Sequence, residues 1–120
     1  MLNTSLEGIT LQVTDVERSL EFYRPIPGAV VVAHRLGEFA LLAIGKGRLG
    51  LLSKHLGGPT HIEVETADLD ALYQQLRDAG ITPQSPPSTK PWDTVRDFMV
   101  VDPDGHVLEF GESHGANAAG

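Results

Sequence analysis

The sequence predicts an α+β fold made of two repeated β-α-β-β-β modules, with the helices on the outside. The first observation behind this prediction is an internal repeat, because a shift of 53 residues places Ile9 on Ile62 and Asp15 on Asp68. The second is that each half opens with an alternating strand and continues into a helical apolar stripe. The third is a set of Gly- and Pro-containing turns that divide the rest of each half into short β-rich runs.

The first module is predicted to span about residues 7 to 56 and to begin with a strand at Glu7–Thr14. The apolar residues of that strand, which include Leu11 and Val13, share one face because strand side chains alternate. Asp15 is a good N-cap for the helix after this strand, and the apolar stripe of the helix ends at Tyr23. Three β-rich runs separated by glycines then predict strands at Ala29–Leu36, Glu38–Ile44 and Arg48–Ser53.

The second module is predicted to span about residues 60 to 112, after a break at Gly57-Gly58-Pro59. It opens with an alternating strand, Thr60–Thr66, and continues into a helix capped by Asp68. The segment Pro83–Pro91 holds a weak strand at best, and residues 113–120 are expected to form a frayed tail. Two final strands are predicted at Val95–Val101 and Val107–Phe110.

Composition limits the class of protein. The chain has 120 residues, 41% of them hydrophobic and 21% charged, as expected for one globular domain. It contains no cysteine, which excludes disulfides, thiolate catalysis and cysteine-bound metals. The formal net charge of -7 argues against binding to nucleic acid or to anionic membranes. There is neither a membrane-length apolar run nor a signal-peptide pattern, so the expected location is the cytoplasm.

The last predicted strand contains a carboxylate, Glu109, that has no evident structural role. The strand follows the segment Asp102-Pro103-Asp104-Gly105-His106. Pro and Gly predict a tight turn before this strand. Leu108 and Phe110 are expected on the core face, so Glu109 points to the opposite face. By the same alternation, the face away from the helices collects these residues: His61, Glu63, Glu65 and Glu109 in the second module, and Gly8, Thr10 and Gln12 in the first.

The repeat, the junction Thr14-Asp15-Val16, Trp92 and the segment Asp102 to Phe110 together resemble the vicinal oxygen chelate superfamily. This is the glyoxalase I, bleomycin-resistance and extradiol-dioxygenase group, and the resemblance covers Glu7 to Glu112. It implies that the two modules form a curled, cup-like mixed sheet around a pocket for a small organic ligand. Small members of the family are often dimers that share their pockets between chains, so a homodimer is expected.

The resemblance also implies positions for metal ligands, because metal-dependent members place one on the first and one on the last strand of each module. The first-strand ligand lies seven residues before the capping Asp, which gives His61 in the second module and Gly8 in the first. The last-strand position gives Glu109 in the second module and Gly50 or Leu51 in the first. The chain therefore supplies an incomplete set of metal ligands. A third ligand could come from His55, Glu63, Glu65 or a second chain.

The sequence leaves open two functions from different classes. The first is a binding protein of the bleomycin-resistance type that needs no cofactor. Its expected ligand contacts are His61, Glu109, Trp92, Gln12 and Glu63. The second is a lyase, isomerase or dioxygenase in which a divalent metal on His61 and Glu109 polarises vicinal oxygens. We prefer the first hypothesis, because two ligands hold a divalent ion poorly and the glycines leave room for a bulky organic molecule. No catalytic residue is assigned.

The remaining polar candidates are interpreted as structural or surface residues. His106 abuts the turn and has the wrong strand parity for the predicted pocket. His34 and His55 lie on or beside predicted strands. Arg96 alternates with Asp97 and could reach an anionic ligand, but a surface position is the preferred interpretation.

Overall fold

The structure, a computed structural model, describes residues 4–89 and 95–112. Within these residues lie seven β-strands and two α-helices, which confirms the α+β class. In chain order they are β1 (Thr4–Val13), α1 (Val16–Tyr23), β2 (Ala29–Arg35), β3 (Phe39–Ile44), β4 (Gly47–Ser53), β5 (His61–Thr66), α2 (Leu69–Asp78), β6 (Asp97–Val101) and β7 (Val107–Glu112). Neither α1 nor α2 has the length and apolar character that a membrane-spanning helix needs.

The chain divides into two compact units, one of residues 7–61 and the other of the residues up to Leu6 together with those from Ile62 onward. In the first unit the strands lie in the order β2-β3-β4-β1, with β1 and β4 parallel and the other pairs antiparallel. In the second unit the order is β5-β7-β6. In each unit the first strand therefore lies beside the last one, and the strand that precedes the last one in the chain lies on its far side. This shared order agrees with the sequence repeat.

The core of the first unit lies between α1 and one face of β3 and β4. Val16 and Leu20 of the helix are buried against Ala40, Leu42 and Leu51 of the strands. Leu11 and Val13 pack against this cluster as predicted, whereas Ile9 is exposed. The carboxylate of Asp15 accepts a hydrogen bond from the Arg18 amide at 3.1 Å, which caps the helix where the sequence indicated.

The core of the second unit is more aromatic. Leu69 and Leu72 of α2 are buried with Phe98 and Val100 of β6. The rings of Phe98 and Phe110 stack at 5.3 Å between centroids, and Tyr73 meets Phe98 edge-on at 5.2 Å. These are favourable geometries for ring pairs. Asp68 caps the helix by accepting a hydrogen bond from the Ala71 amide at 3.1 Å.

The Pro-rich segment forms only a single bridge between Ser88 and Asp97 within the described residues. The sequence allowed at most a weak strand here, and this prediction is confirmed for the part of the segment up to residue 89. β7 continues to Glu112, beyond the predicted end at Phe110, because the Glu112 amide donates a hydrogen bond to the carbonyl of Arg96 at 3.2 Å.

Gly8 lies where β1 approaches β4 too closely for a side chain. It is opposite Arg48 in the parallel register, and a Cβ at position 8 would lie 1.9 Å from the Arg48 carbonyl oxygen. A Cβ at Gly50 would meet the Thr10 hydroxyl at 2.7 Å. The sequence alone suggested that these glycines leave space for a ligand. The structure provides a different reason for them, which is strand packing within the first unit.

Replacing Gly8 by Ala is therefore expected to destabilise the fold by about 1–3 kcal/mol, because the backbone of β1 or β4 must move to admit the methyl group. The matched control is Gly47→Ala, whose added Cβ would meet only the Ile44 carbonyl oxygen at 3.7 Å, an ordinary contact. Urea unfolding monitored by circular dichroism measures both free energies. Equal stability of the two variants would contradict the close-approach explanation.

Candidate functional site

His61 begins β5 and is 9% exposed, which makes it one of the few buried polar side chains in the described residues. Its Nδ1 lies 2.9 Å from the carbonyl oxygen of Pro59. A carbonyl only accepts hydrogen bonds, so Nδ1 must carry the hydrogen. The lone pair of the neutral ring is then on Nε2, and this is the nitrogen through which a neutral His61 can accept a hydrogen bond or bind a metal.

Glu63 and Glu109 reach the same place from two strands. Glu63 lies two residues after His61 in β5, and residues two apart in a strand share a face. Glu109 lies in the middle of β7, opposite Met99 of β6. Its neighbour Phe110 packs into the core beside α2, so Glu109 points to the face away from the helix, as the sequence predicted. Both glutamates are half-buried.

One ring nitrogen of His61 and one carboxylate oxygen from each of Glu63 and Glu109 lie within 4.8 Å of one another. We call this set the His-Glu-Glu cluster. Two carboxylates at this separation repel each other, and a cation or a strong hydrogen-bond donor placed between them would relieve the repulsion. Imidazole and carboxylate are also ligand types that bind several divalent metals. The sequence predicted that His61 and Glu109 come together, and Glu63 joins them as a third donor.

The first unit adds no side chain at the corresponding ligand positions. Gly8 and Gly50 cannot coordinate; a side chain at position 8 would collide with the backbone of Arg48, and one at position 50 would require the Thr10 hydroxyl to move. Leu51 is 1% exposed and belongs to the core beneath α1. Neither Gly50 nor Leu51, the two alternatives for the last-strand position, therefore provides a metal ligand. Among the described residues, the group that could hold a metal thus has three members, all on β5 and β7.

Gln12 is engaged with the linker that precedes β5. Its backbone amide donates to the Thr60 hydroxyl at 2.9 Å, and its side-chain amide donates to the Gly58 carbonyl. The sequence predicted Gln12 as a ligand contact, and these bonds give it a structural connection as well. The other predicted contact, Trp92, lies outside the described residues.

Arg96 is held in a network of ion pairs. Its guanidinium contacts both carboxylate oxygens of Asp70, at 3.1 and 2.8 Å, and both of Glu112, at 3.4 and 3.1 Å. These bonds connect the first turn of α2 to the end of β7. Hydrogen bonds from Arg96 lower the pKa of Asp70 and of Glu112, and the two carboxylates in turn raise the pKa of Arg96. The preferred interpretation of Arg96 as a surface residue is therefore refined, because this side chain joins two elements of the second unit.

His106 and His34 also have carboxylate partners. His106 Nδ1 pairs with Asp102 at 2.9 Å, and the same aspartate accepts the amides of Asp104 and His106 inside the turn. The pKa of the Asp102 carboxyl is lowered, mainly by the amide of His106 and next by its ring. His106 thus has the turn-packing role that was expected. His34 pairs with Glu17 at 2.9 Å, a partner that the sequence did not indicate.

The fold and the cluster together define a class: small α+β proteins built from a β-α-β-β-β unit and a second unit whose described residues form β-α-β-β, with polar donors on a sheet face away from the helix. The sequence model of the Glyoxalase/Bleomycin resistance protein/Dioxygenase superfamily matches residues 5–110 of this chain. The chain belongs to that superfamily, and the family resemblance seen in the sequence is confirmed.

Individual relatives span nearly the whole chain. A bleomycin resistance protein of Geobacillus stearothermophilus is 27% identical in an alignment of 120 positions, which covers 83% of this chain and 90% of the relative. A superfamily member from Vibrio splendidus 12B01 has a similar structure, with a TM-score of 0.70 and 24% identity, over 94% of this chain and all (100%) of that one. Methylmalonyl-CoA epimerase from Mycobacterium tuberculosis superposes with a TM-score of 0.73 at 20% identity, over 96% of this chain and 91% of the epimerase. At such identities these two structures establish the shared fold alone.

Removing the Arg96 network should destabilise the protein in a pH-dependent way. The pKa values of Asp70 and Glu112 are lowered in the folded protein, so their ionised carboxylates stabilise the fold. This stabilisation is complete above the ordinary pKa values of 3.8 and 4.5, and it is lost as the pH falls through the lower pKa values of the folded state. Arg96→Gln is therefore expected to lower the Tm at pH 7, and the difference from wild type should shrink below about pH 4. Differential scanning calorimetry across this range tests the prediction.

The matched control is Lys46→Gln, which removes the same charge from an exposed turn. It should leave the Tm nearly unchanged at every pH. A loss of stability in Arg96→Gln that stayed constant down to about pH 2, well below the ordinary carboxyl values, would show that the carboxylate partners are not its source.

Proposed function

We propose that the protein binds a small organic molecule at the His-Glu-Glu cluster, as a binding protein of the bleomycin-resistance type that needs no tightly bound metal. The observation that carries the proposal is the convergence of three polar donors on β5 and β7, while the ligand positions of the first unit are closed by strand packing. The relatives named bleomycin resistance proteins, which match over most of both chains, support the same conclusion.

The chemistry of the cluster limits the group that it would recognise. The two carboxylates accept hydrogen bonds, and so does Nε2 of a neutral His61. A ligand that places an ammonium, amidine or amide N–H between them would form charge-assisted hydrogen bonds, which are about twice as strong as neutral ones. Trp92 remains a proposed aromatic contact for the apolar part of such a ligand. Gln12 is proposed to contact the ligand through its side-chain oxygen.

A metal-dependent lyase, isomerase or dioxygenase is the second candidate, and the same cluster favours it. Ligand atoms bound to one ion at about 2.0–2.2 Å lie at most about 4.4 Å apart, which is close to the 4.8 Å limit of the cluster. The donor types therefore fit a divalent metal, which His61 would bind through Nε2 and the glutamates through oxygen. Such an ion would polarise a substrate oxygen. Three protein ligands are the number that catalytic metal sites commonly have. This candidate ranks second because the relatives named bleomycin resistance proteins favour a binding protein.

The proposal predicts that His61→Ala and Glu109→Gln each weaken binding by about 1–3 kcal/mol while the fold is retained, because the first removes a buried hydrogen-bonding group and the second removes the charge of a half-buried carboxylate. Calorimetric titration with metal-free bleomycin measures the loss, and circular dichroism checks the fold. The matched control is His55→Ala, an exposed histidine outside the cluster, which should bind like wild type.

Wild-type affinity in both cluster variants would refute the site. The metal content of protein purified without chelator separates the two candidate functions. A stoichiometric divalent ion that survives dialysis in the wild type and is lost in His61→Ala would favour the enzyme over the binding protein.

We also propose a homodimer, for which the family resemblance and an apolar strand provide the support. β2 is the outermost strand in the order of the first unit, and Val30 and Val32 on it are 62% and 50% exposed. Exposed apolar strands of this kind favour association. Sedimentation velocity at micromolar concentration should show a dimer, and Val30→Glu should shift it toward monomer. A wild-type protein that sediments only as monomer would contradict the proposal.

The cysteine-free, acidic sequence supports the cytoplasm as the proposed location.

A further inference from the structure

The linker before β5 is held at two points by one residue of β1. Gln12 donates its side-chain amide to the carbonyl of Gly58 and its backbone amide to the hydroxyl of Thr60, the latter at 2.9 Å. Pro59 lies between these two contacts. Its carbonyl oxygen is the acceptor for Nδ1 of His61, at 2.9 Å.

The linker needs such a restraint because its own residues are permissive. Gly57 and Gly58 have φ values of 74° and 82°, in the left-handed region that glycine enters without steric cost. Glycines that reach this region so readily do not by themselves fix the direction of the next carbonyl group. The two hydrogen bonds from Gln12 bracket Pro59 and reduce the freedom of its carbonyl.

The direction of the Pro59 carbonyl influences which nitrogen of His61 carries the hydrogen. A neutral imidazole has one protonated nitrogen and one lone pair, and a hydrogen bond at one nitrogen selects the tautomer. With Nδ1–H directed at Pro59, the lone pair is on Nε2. Outer hydrogen bonds of this type orient metal-ligating histidines, and their loss typically costs about 10–100-fold in metal affinity or activity.

We propose that Gln12 is a positioning residue which, through the linker, holds the Pro59 carbonyl where it selects the Nδ1–H tautomer of His61. The effect on ligand binding rests on the proposed function, whereas the tautomer of His61 is a property of the free protein. This role of Gln12 is separate from its proposed direct contact with the ligand, and the tautomer of His61 in the free protein distinguishes the two.

The test is Gln12→Met, which keeps the length of the side chain and removes its hydrogen-bond donor. Long-range ¹H–¹⁵N NMR of the uniformly ¹⁵N-labelled protein, without ligand and at a pH where the histidines are neutral, reports the tautomer of each ring. Wild-type His61 should show a protonated Nδ1 and a non-protonated Nε2. In Gln12→Met the two nitrogens should move toward an average of both tautomers, and the affinity for metal-free bleomycin should fall about tenfold.

His106 provides an internal control, because its Nδ1 is held by Asp102 and its resonances should not change. An unchanged His61 tautomer in Gln12→Met would overturn the inference, even if bleomycin binding fell. If Gln12→Met does not fold, Thr60→Val removes the other bond to the linker and should give a smaller shift in the same direction, and the absence of any shift overturns the inference. Failure of the proposed function would appear separately, as wild-type protein that shows the tautomer but does not bind bleomycin.

Discussion

The constraint on which the first unit depends is the close approach of β1 to β4. The parallel register places Gly8 against the backbone of Arg48, with no space for a Cβ, and Gly50 lies against the side chain of Thr10. A side chain at position 8 would require the two strands to separate, and the core beneath α1 is built on those strands; a side chain at position 50 would require Thr10 to move. The polar chemistry is consequently carried by β5 and β7. This explains in steric terms why a fold with two similar modules has donors at these positions in only one of them.

Local hydrogen bonds place the donors of the second module. The carboxylate of Asp102 accepts two backbone amides in the turn before β7, and this fixes where the strand begins and so which face Glu109 occupies. The Arg96 network then connects the end of β7 to α2. At the start of β5, the Pro59 carbonyl orients the ring of His61. His61 and Glu109 thus each depend on a neighbouring group that lies outside the cluster.

The same three donors are compatible with two classes of function, and superfamily membership includes both. A binding protein uses the cluster as hydrogen-bond acceptors for a cationic or N–H-bearing ligand, whereas an enzyme uses it to hold an ion. Both uses rest on the same three donors, all on β5 and β7. The orientation of His61 by Pro59 serves either role, since both need the lone pair on Nε2.

The sequence by itself determined the features that depend on local periodicity and turn chemistry. It predicted the two helices with their Asp15 and Asp68 caps, and it placed His61 and Glu109 on the face away from the core, because alternation along a strand depends only on the neighbouring residues. The tertiary structure alone decided which distant residues meet. Arg96 lies 26 residues from Asp70 and 16 from Glu112 in the chain, and no spacing rule connects them. The approach of Glu63 to Glu109 and the contact of Gly8 with Arg48 likewise depend on which strands are neighbours and in what register, and a one-residue change of register would reverse the face of every side chain.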